Sequence, residues 1–550
     1  MNAAAQTAFT DAFVGGLASG GVRDLVVSPG SRSTALLLAA RRAGLRLHPI
    51  HDERAAGFFA LGLARTTGAP PALLCTSGTA AAHYLPAIME ASATGLGLIV
   101  LGADRPPELH GSGANQTIDQ SHLFGRHVRA YLDLGLADGS DATLRAAARR
   151  GAQAVVAARW PDPGPVHVNA PARKPLEPAA HSASIPRAPA IDLPRVVADR
   201  DALESVANWL SEGERPALIA GPAHPGLRDS RDAVLRLATA LDAPLLADAT
   251  SQLPSSIPAH DLAAGLLDAD RILQIGRPPI GSRIERWLAE RPRVVLAERG
   301  HPDPGSTAER FVFGALDESL RALAEHTPSR SRPGWSERWR GLADTVERTR
   351  EALLADGFHE GHVARIALDR LPEAALLVLG NSLPVRHADL WARPTNVPVL
   401  HQRGVSGIDG LIAGAAGANV GASAPTLAMI GDVSFLHDVG GLSAARRCER
   451  PLVILVVDNG GGRIFEWLPV HGAIDDADFE ALFAMAPAID VEAAAKTFGH
   501  RYVAPRSPDS LASALDAALT HEGCTVVHAV ASGGRVADSA LADAILEAAR

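Results

Sequence analysis

Hydrophobic positions along the chain follow one recurring pattern: a short Leu- or Val-rich run, a Gly/Ser/Asp turn, then an Ala-rich stretch of helical character. It recurs at 24–42 (DLVVSPGSRSTALLLAARR), 72–91 (ALLCTSGTAAAHYLPAIMEA), 97–106 (GLIVLGADRP), 375–390 (ALLVLGNSLPVRHADL), 426–442 (TLAMIGDVSFLHDVGGL) and 451–462 (PLVILVVDNGGG). Continuous apolar strands alternating with helices predict parallel sheets covered on both faces, an α/β architecture. Ligands of such sheets sit beyond the carboxyl ends of the strands, so chemistry is expected in the polar turns just named.

Two stretches interrupt the rhythm. Residues 171–194 hold six prolines, and 326–338 (HTPSRSRPGWSER) is polar and proline-containing; both read as linkers. They predict three doubly wound parallel-sheet domains, at 1–180, 190–330 and 345–550. The length of 550 residues agrees, at about 150 per domain. The longest uncharged stretch, Gly410 to Gly431, is rich in Gly, Ala, Ser and Asn rather than Leu, Ile and Phe, so it reads as soluble core and not as a membrane insertion. The first twenty residues lack a basic start followed by an apolar block, and a cytoplasmic location is expected.

Composition narrows the function classes. A hydrophobic share of 47% with 21% charged residues excludes a mostly disordered chain. The 52 basic and 61 acidic residues, net −9, argue against nucleic acid as a partner. Three scattered cysteines, Cys75, Cys448 and Cys524, are too few for a disulfide framework or a thiolate zinc site.

Gly431-Asp432 ends one apolar run, and Asp458-Asn459-Gly460-Gly461-Gly462 ends the next, with Asp432 and Asn459 27 positions apart. That spacing fits a strand, a crossover helix and a return strand, which brings both side chains to one sheet edge. A carboxylate, an amide oxygen and a carbonyl of the glycine turn form a hard-oxygen set suited to magnesium or calcium, with phosphate oxygens completing the shell. The helix after Asp432 is expected to add its first amides toward the same anion. Read singly, Asp432 is equally an N-cap and Asn459-Gly460 a turn. Glu53, in HDERAAGFFA, is expected at a helix start; it either favours the positive helix end or is a largely buried carboxyl facing a cofactor ring nitrogen.

With SPGSRSTAL (28–36), HDERAAGFFALGLAR (51–65), TSGTAAAHYLPAIMEA (76–91), ADRPPEL (103–109), GANQTIDQ (113–120), GNSLPVR (380–386), RGVSGIDG (403–410), GDVSFLHDVGGL (431–442) and GGGRIFEWLP (460–469), the chain resembles the thiamine diphosphate enzymes of the 2-oxoacid decarboxylase and acetolactate synthase type. Among these it is most similar to the menaquinone-pathway branch that joins 2-oxoglutarate to isochorismate. The resemblance implies thiamine diphosphate and Mg2+ or Mn2+ as cofactors, and a homodimer, often paired into a tetramer, with active sites between subunits. It implies that Glu53 protonates the aminopyrimidine ring and that Ile408 lies beneath the bent cofactor. Asp432, Asn459 and the Gly461 carbonyl hold the metal, while Ser382, Gly431, Ser434 and Ile464 line the cofactor. Three departures from the family pattern stand out: Gly-Asp-Val at 431–433, Asp458 where Asn is usual, and Gln402 where this branch has Asn.

Arg32, Arg105, Arg386 and Arg403 all lie in motif turns from which side chains could converge on one pocket. Guanidinium groups pair with carboxylates, and 2-oxoglutarate and isochorismate carry two each. Arg283 occupies a place where the family often has lysine. Ser31, Asn115 and Gln116 are expected to supply neutral hydrogen bonds, and Phe465 and Leu468 an apolar wall. The rival reading is acetolactate synthase or a simple 2-oxoacid decarboxylase, which the arginine-bearing segments count against. A silent diphosphate-binding module is disfavoured by Glu53, Asp432 and Asn459 occurring together, and a nicotinamide dehydrogenase by the lack of a clean G-x-G-x-x-G after a strand.

Overall fold

The computed structural model describes residues 3–181 and 184–548. Its strands form three parallel sheets. The first contains β1 (Asp24–Ser28), β2 (Arg46–Pro49), β3 (Ala72–Cys75), β4 (Leu98–Asp104), β5 (Ala130–Asp133) and β6 (Pro165–Pro171), ordered β2-β1-β3-β4-β6-β5. The second contains β7 (Pro216–Ala220), β8 (Leu245–Ala247), β9 (Arg271–Ile275), β10 (Arg293–Ala297) and β11 (Arg310–Phe313), ordered β11-β10-β9-β7-β8. The third contains β12 (Leu376–Leu379), β13 (Val399–His401), β14 (Thr426–Gly431), β15 (Leu452–Asp458), β16 (Arg501–Val503) and β17 (Cys524–Val530), ordered β13-β12-β14-β15-β17-β16. The first and third sheets follow the same permutation. Every residue of β1, β3 and β4 is buried, as the uninterrupted apolar runs predict for a sheet covered on both faces.

No regular element lies between Pro171 and Arg200 among the described residues, in keeping with the first expected linker. The second expected linker is different. A helix, Pro333–Leu353, begins inside it, with proline in the first turn, where its missing N–H costs nothing. Trp335 is buried and donates its indole N–H to the Pro216 carbonyl at 3.0 Å; Arg332 is buried too and donates to the carbonyls of Gly213 (2.9 Å) and Leu241 (2.7 Å). The segment is a packed strap on the central sheet, its anchors masked by the surrounding polar residues.

The Gly410 to Gly431 stretch is core, as expected: a helix, Leu411–Ala422, followed by β14. Its glycines let that helix lie directly against the helix Glu53–Thr67. A Cβ at Gly417 would collide with the Phe59 carbonyl oxygen, and one at Gly62 with that of Gly414. Phe58, Phe59, Leu411, Ile412, Ile430 and Val456 share one hydrophobic cluster, so the first and third domains have a common core. Gly417→Ala is therefore expected to destabilise the fold by about 1–3 kcal/mol through overpacking against backbone that cannot swing aside. Denaturant unfolding checks this; an unchanged midpoint would mean that the two helices separate freely. No helix among the described residues is long and apolar enough to cross a membrane.

Candidate active site

β14 and β15 are neighbours in parallel register, Gly431 opposite Val457, and they deliver Asp432 and Asn459 to the same edge of the third sheet. A cavity of about 200 Å3 opens there. Ser382, Ile408, Gly431, Asp432, Ser434, Asn459, Gly461 and Ile464 line it, with Phe465 in its wall. A larger cavity of about 1120 Å3, bordered by Arg129, Arg277 and Arg299, contains none of the residues singled out from the sequence, so size is no guide here.

The Asp432 carboxylate is buried. Its Oδ1 accepts the Val433 N–H at 2.8 Å and its Oδ2 the Gly461 N–H at 2.7 Å. Burial, reinforced by the charge of Asp458 and opposed by these amides, pushes it up to about 6. No basic side chain pairs with it among the described residues, and a buried carboxylate without a counter-charge is unfavourable. A divalent cation would relieve that cost, and a carboxylate, an amide oxygen and a peptide carbonyl suit magnesium. Gly461 has φ +108°, and a Cβ there would collide with the Ala484 carbonyl, so only glycine makes this turn. Its own carbonyl accepts the Arg463 N–H at 2.8 Å, which leaves one lone pair.

Asp458 does not line the cavity. Its Oδ1 accepts the Gly460 N–H at 3.1 Å, and its Oδ2 lies 2.8 Å from His528 Nε2, whose other ring nitrogen meets the Tyr502 hydroxyl at 3.0 Å. His528 holds the carboxyl below its ordinary range. Gln402 is a brace: its Nε2 donates to the Gly410 carbonyl at 3.3 Å, and its carbonyl accepts from Asn381 Nδ2 at 3.0 Å. Asn381 also bonds Gly407 at 2.6 Å, tying GNSLPVR to RGVSGIDG. Ser382 adopts φ +70°, ψ −130°, a conformation costing about 1–3 kcal/mol for a residue with a side chain, and it does so at the cavity edge.

Two expectations are corrected. The helix after Asp432 is only six residues, Asp432–His437, and its Val433 amide is already bonded to Asp432 rather than free for an anion. Leu468 does not line the cavity; the 3-10 turn Arg463–Trp467 ends before it, and it lies extended and 49% exposed. None of the four arginines lines the cavity that holds Asp432 among the described residues, and they fall into two groups. Arg32 and Arg105 sit close to each other on the first domain, near Asp104. There Arg32 donates to the Ala172 carbonyl (2.6 Å), Arg105 Nε to that of Asn115 (3.2 Å), and Gln116 Nε2 to that of Ser77 (2.9 Å); Ser31 opens the 3-10 turn that carries Arg32.

Arg386 and Arg403 form the second group. Arg386 donates to the Ser382 carbonyl at 2.7 Å; burial first, then Arg403, lowers its pKa. Arg403 is buried, and its Nε has no hydrogen-bond partner among the described residues. Two cations held this close are suited to an anion. Arg283 approaches through Asp261, whose Oδ1 accepts its backbone N–H at 3.1 Å and whose charge also acts on Arg386. The loop after Arg403 is pinned by Glu90, which accepts the N–H groups of Gly404 (3.1 Å) and Val405 (2.8 Å) and pairs with buried Arg65 at 2.7 Å.

Glu53 is the first residue of the helix Glu53–Thr67, whose N-cap Asp52 accepts the Ala55 N–H at 3.1 Å. It is half-buried rather than largely buried. Its charge acts on Cys75, which burial first and Glu53 second push up to about 12. The adjacent Arg54 donates to the His437 carbonyl at 2.9 Å. No residue of the first domain lines the cavity that holds Asp432 among the described residues. Reasoning from sequence missed Glu90, Glu360 and His528. Glu360 lies in FHEGH, which matches no motif, and His528 is a lone histidine within a largely apolar strand.

Residues 7–123 match the family described as thiamine pyrophosphate enzyme, N-terminal TPP binding domain; 203–379 match the middle domain of thiamine pyrophosphate; and 387–529 match the C-terminal TPP binding domain. The benzoylformate decarboxylase of Polynucleobacter necessarius shares the fold, with a TM-score of 0.73 at 16% identity over 95% of this chain and 98% of that one. Fold and cavity thus define a thiamine pyrophosphate enzyme. The 2-succinyl-5-enolpyruvyl-6-hydroxy-3-cyclohexene-1-carboxylate synthase of Sorangium cellulosum is 41% identical, covering 95% of this chain and 92% of its own length, and that of Geobacillus kaustophilus is 38% identical, covering 95% and 94%. The chain belongs to the 2-succinyl-5-enolpyruvyl-6-hydroxy-3-cyclohexene-1-carboxylate synthase family.

Proposed function

We propose that this chain catalyses the decarboxylation of 2-oxoglutarate and the conjugate addition of the resulting succinyl unit to isochorismate, in menaquinone biosynthesis in the cytoplasm, with thiamine diphosphate and Mg2+ or Mn2+. The observation that carries this reading is the convergence of Asp432, Asn459, Gly461, Ser382 and Ile408 on one cavity, with half-buried Arg386 and buried Arg403 next to it. When bound, thiamine diphosphate supplies the electron sink that lets a 2-oxo acid lose carbon dioxide and its keto carbon act as a nucleophile.

The residues of the chain supply position and charge. Asp432, Asn459 and the Gly461 carbonyl hold the cation against the diphosphate, and Gly431, Ser382, Ser434 and Ile464 shape the walls. Ile408 supports the middle of the cofactor. Arg386 and Arg403 bind substrate carboxylates, with Arg283 beside them and Phe465 excluding water. Glu53 holds the proton that it exchanges with a ring nitrogen of the pyrimidine. Glu53 is not among the residues that line the cavity of its own chain, and in this reading it serves the cavity of a second copy, together with Ser31, Arg32, Arg105, Asn115 and Gln116. The active unit is accordingly a homodimer, of the kind that in this family is often paired into a tetramer.

The test is to incubate purified protein with thiamine diphosphate, Mg2+, 2-oxoglutarate and isochorismate, following isochorismate loss and product mass. Product is expected with 2-oxoglutarate and none with pyruvate. Turnover of pyruvate alone would favour the acetolactate synthase reading instead.

A further inference from the structure

One buried carboxylate meets the proposed cation site from behind. Glu360 is the first residue of the helix Glu360–Asp369 and is buried. Its Oε1 accepts a hydrogen bond from Asn459 Nδ2 at 3.2 Å. Its Oε2 has no hydrogen-bond partner among the described residues and lies so close to Gly534 that a Cβ there would collide with it. The residue is held by its surroundings: the His359 ring caps the helix by accepting the Gly361 N–H at 3.1 Å, and the start of the helix Gly534–Ala548 closes over the carboxylate.

We propose that Glu360 is a positioning residue that sets which end of the Asn459 amide faces the cation site. The proposal rests on the cofactor reading above. The oxygen and nitrogen ends of an amide are nearly the same size, so hydrogen-bond partners decide its orientation. A cation needs Oδ1. A carboxylate has only acceptor atoms, so it attracts Nδ2 and repels Oδ1, and it leaves Oδ1 as the end offered to the cavity that Asn459 lines. Glutamine at 360 would donate as readily as it accepts, and the preference would vanish. Partners that orient a metal ligand are typically worth about 10–100-fold in metal affinity.

The experiment is calorimetric titration of Mn2+ into the full-length assembly with thiamine diphosphate present. Glu360→Gln should weaken Mn2+ binding by about 10–100-fold. In an Asn459→Asp background the sign should reverse: the two oxygens of Asp are equivalent and need no orienting, and Glu360 would now repel them, so adding Glu360→Gln should tighten binding. Unchanged affinity in the Asn459 background, or the same loss in both backgrounds, overturns the proposal, since simple packing would act alike in each. If Glu360→Gln does not fold, Glu360→Asp, whose shorter side chain withdraws from Asn459, is expected to weaken binding, and full affinity in that variant overturns the proposal. A wild-type chain that takes up neither Mn2+ nor cofactor would overturn the functional reading itself, a result distinct from all of these.

Discussion

Asp432→Ala is expected to abolish cation-dependent retention of thiamine diphosphate, with a loss well beyond the about 100-fold that merely orienting residues command. The variant removes the one charged member of the oxygen cage and frees the Gly461 N–H, which Asp432 holds at 2.7 Å, so the glycine turn loses its anchor too. The cofactor-free protein should behave differently. Asp432 titrates near 6 in the fold against an ordinary 3.8, because burial disfavours its charge. A carboxyl with a raised folded pKa binds more protons folded than unfolded between those values, so it adds stability at low pH that is lost as pH rises through about 6. At pH 7 the metal-free wild-type chain therefore carries the cost of a buried charge that Asp432→Ala lacks. Thermal unfolding without ligands should show the stability of the variant rising relative to wild type as pH passes through about 6, where wild type takes up the buried charge. With Mg2+ and thiamine diphosphate added, only wild type should be stabilised. Equal ligand-induced stabilisation of both would remove Asp432 from the cage.

Glu53→Gln should produce the opposite separation. Calorimetry should find Mg2+ and thiamine diphosphate bound nearly as tightly as by wild type, while product formation falls by about 100- to 10,000-fold, the range attributed to a positioned acid or base. Glutamine matches the shape, and Asp52 rather than Glu53 caps the helix, so the fold has no reason to suffer. A fully active variant would reject the proton-holding role.

The legible and illegible parts of this molecule differ in sequence range. Strands such as β4 and β15 show as uninterrupted apolar runs because both faces are covered, and the 27-residue step from Asp432 to Asn459 is one crossover and its return strand, β15. The polar run at 326–338 misled because its two anchors, Arg332 and Trp335, reach carbonyls of Gly213, Leu241 and Pro216, all more than 90 residues earlier. Asp458 was opaque for a similar reason. Its partner His528 lies 70 residues on, in β17, which pairs with β15 while β16 lies outside it. The Glu360 contact with Asn459 spans 99 residues and joins a helix start to a strand end, a relation no local pattern records. Arg32 and Arg105 are neighbours on the first domain and Arg386 and Arg403 on the third, a pairing that no local pattern in the sequence records.

The central claim is that the acid on the first domain of one chain completes the oxygen cage on the third domain of another. The most direct measurement mixes the two inactive variants, Glu53→Gln and Asp432→Ala, by co-expression with different affinity tags, and assays the doubly tagged assembly. Each mixed dimer would contain one site built from an intact Glu53 and an intact Asp432, so random pairing should restore about one quarter of wild-type activity to the whole mixture. Verified mixed assemblies as inactive as either parent would show that both groups act within a single chain, and would contradict the account.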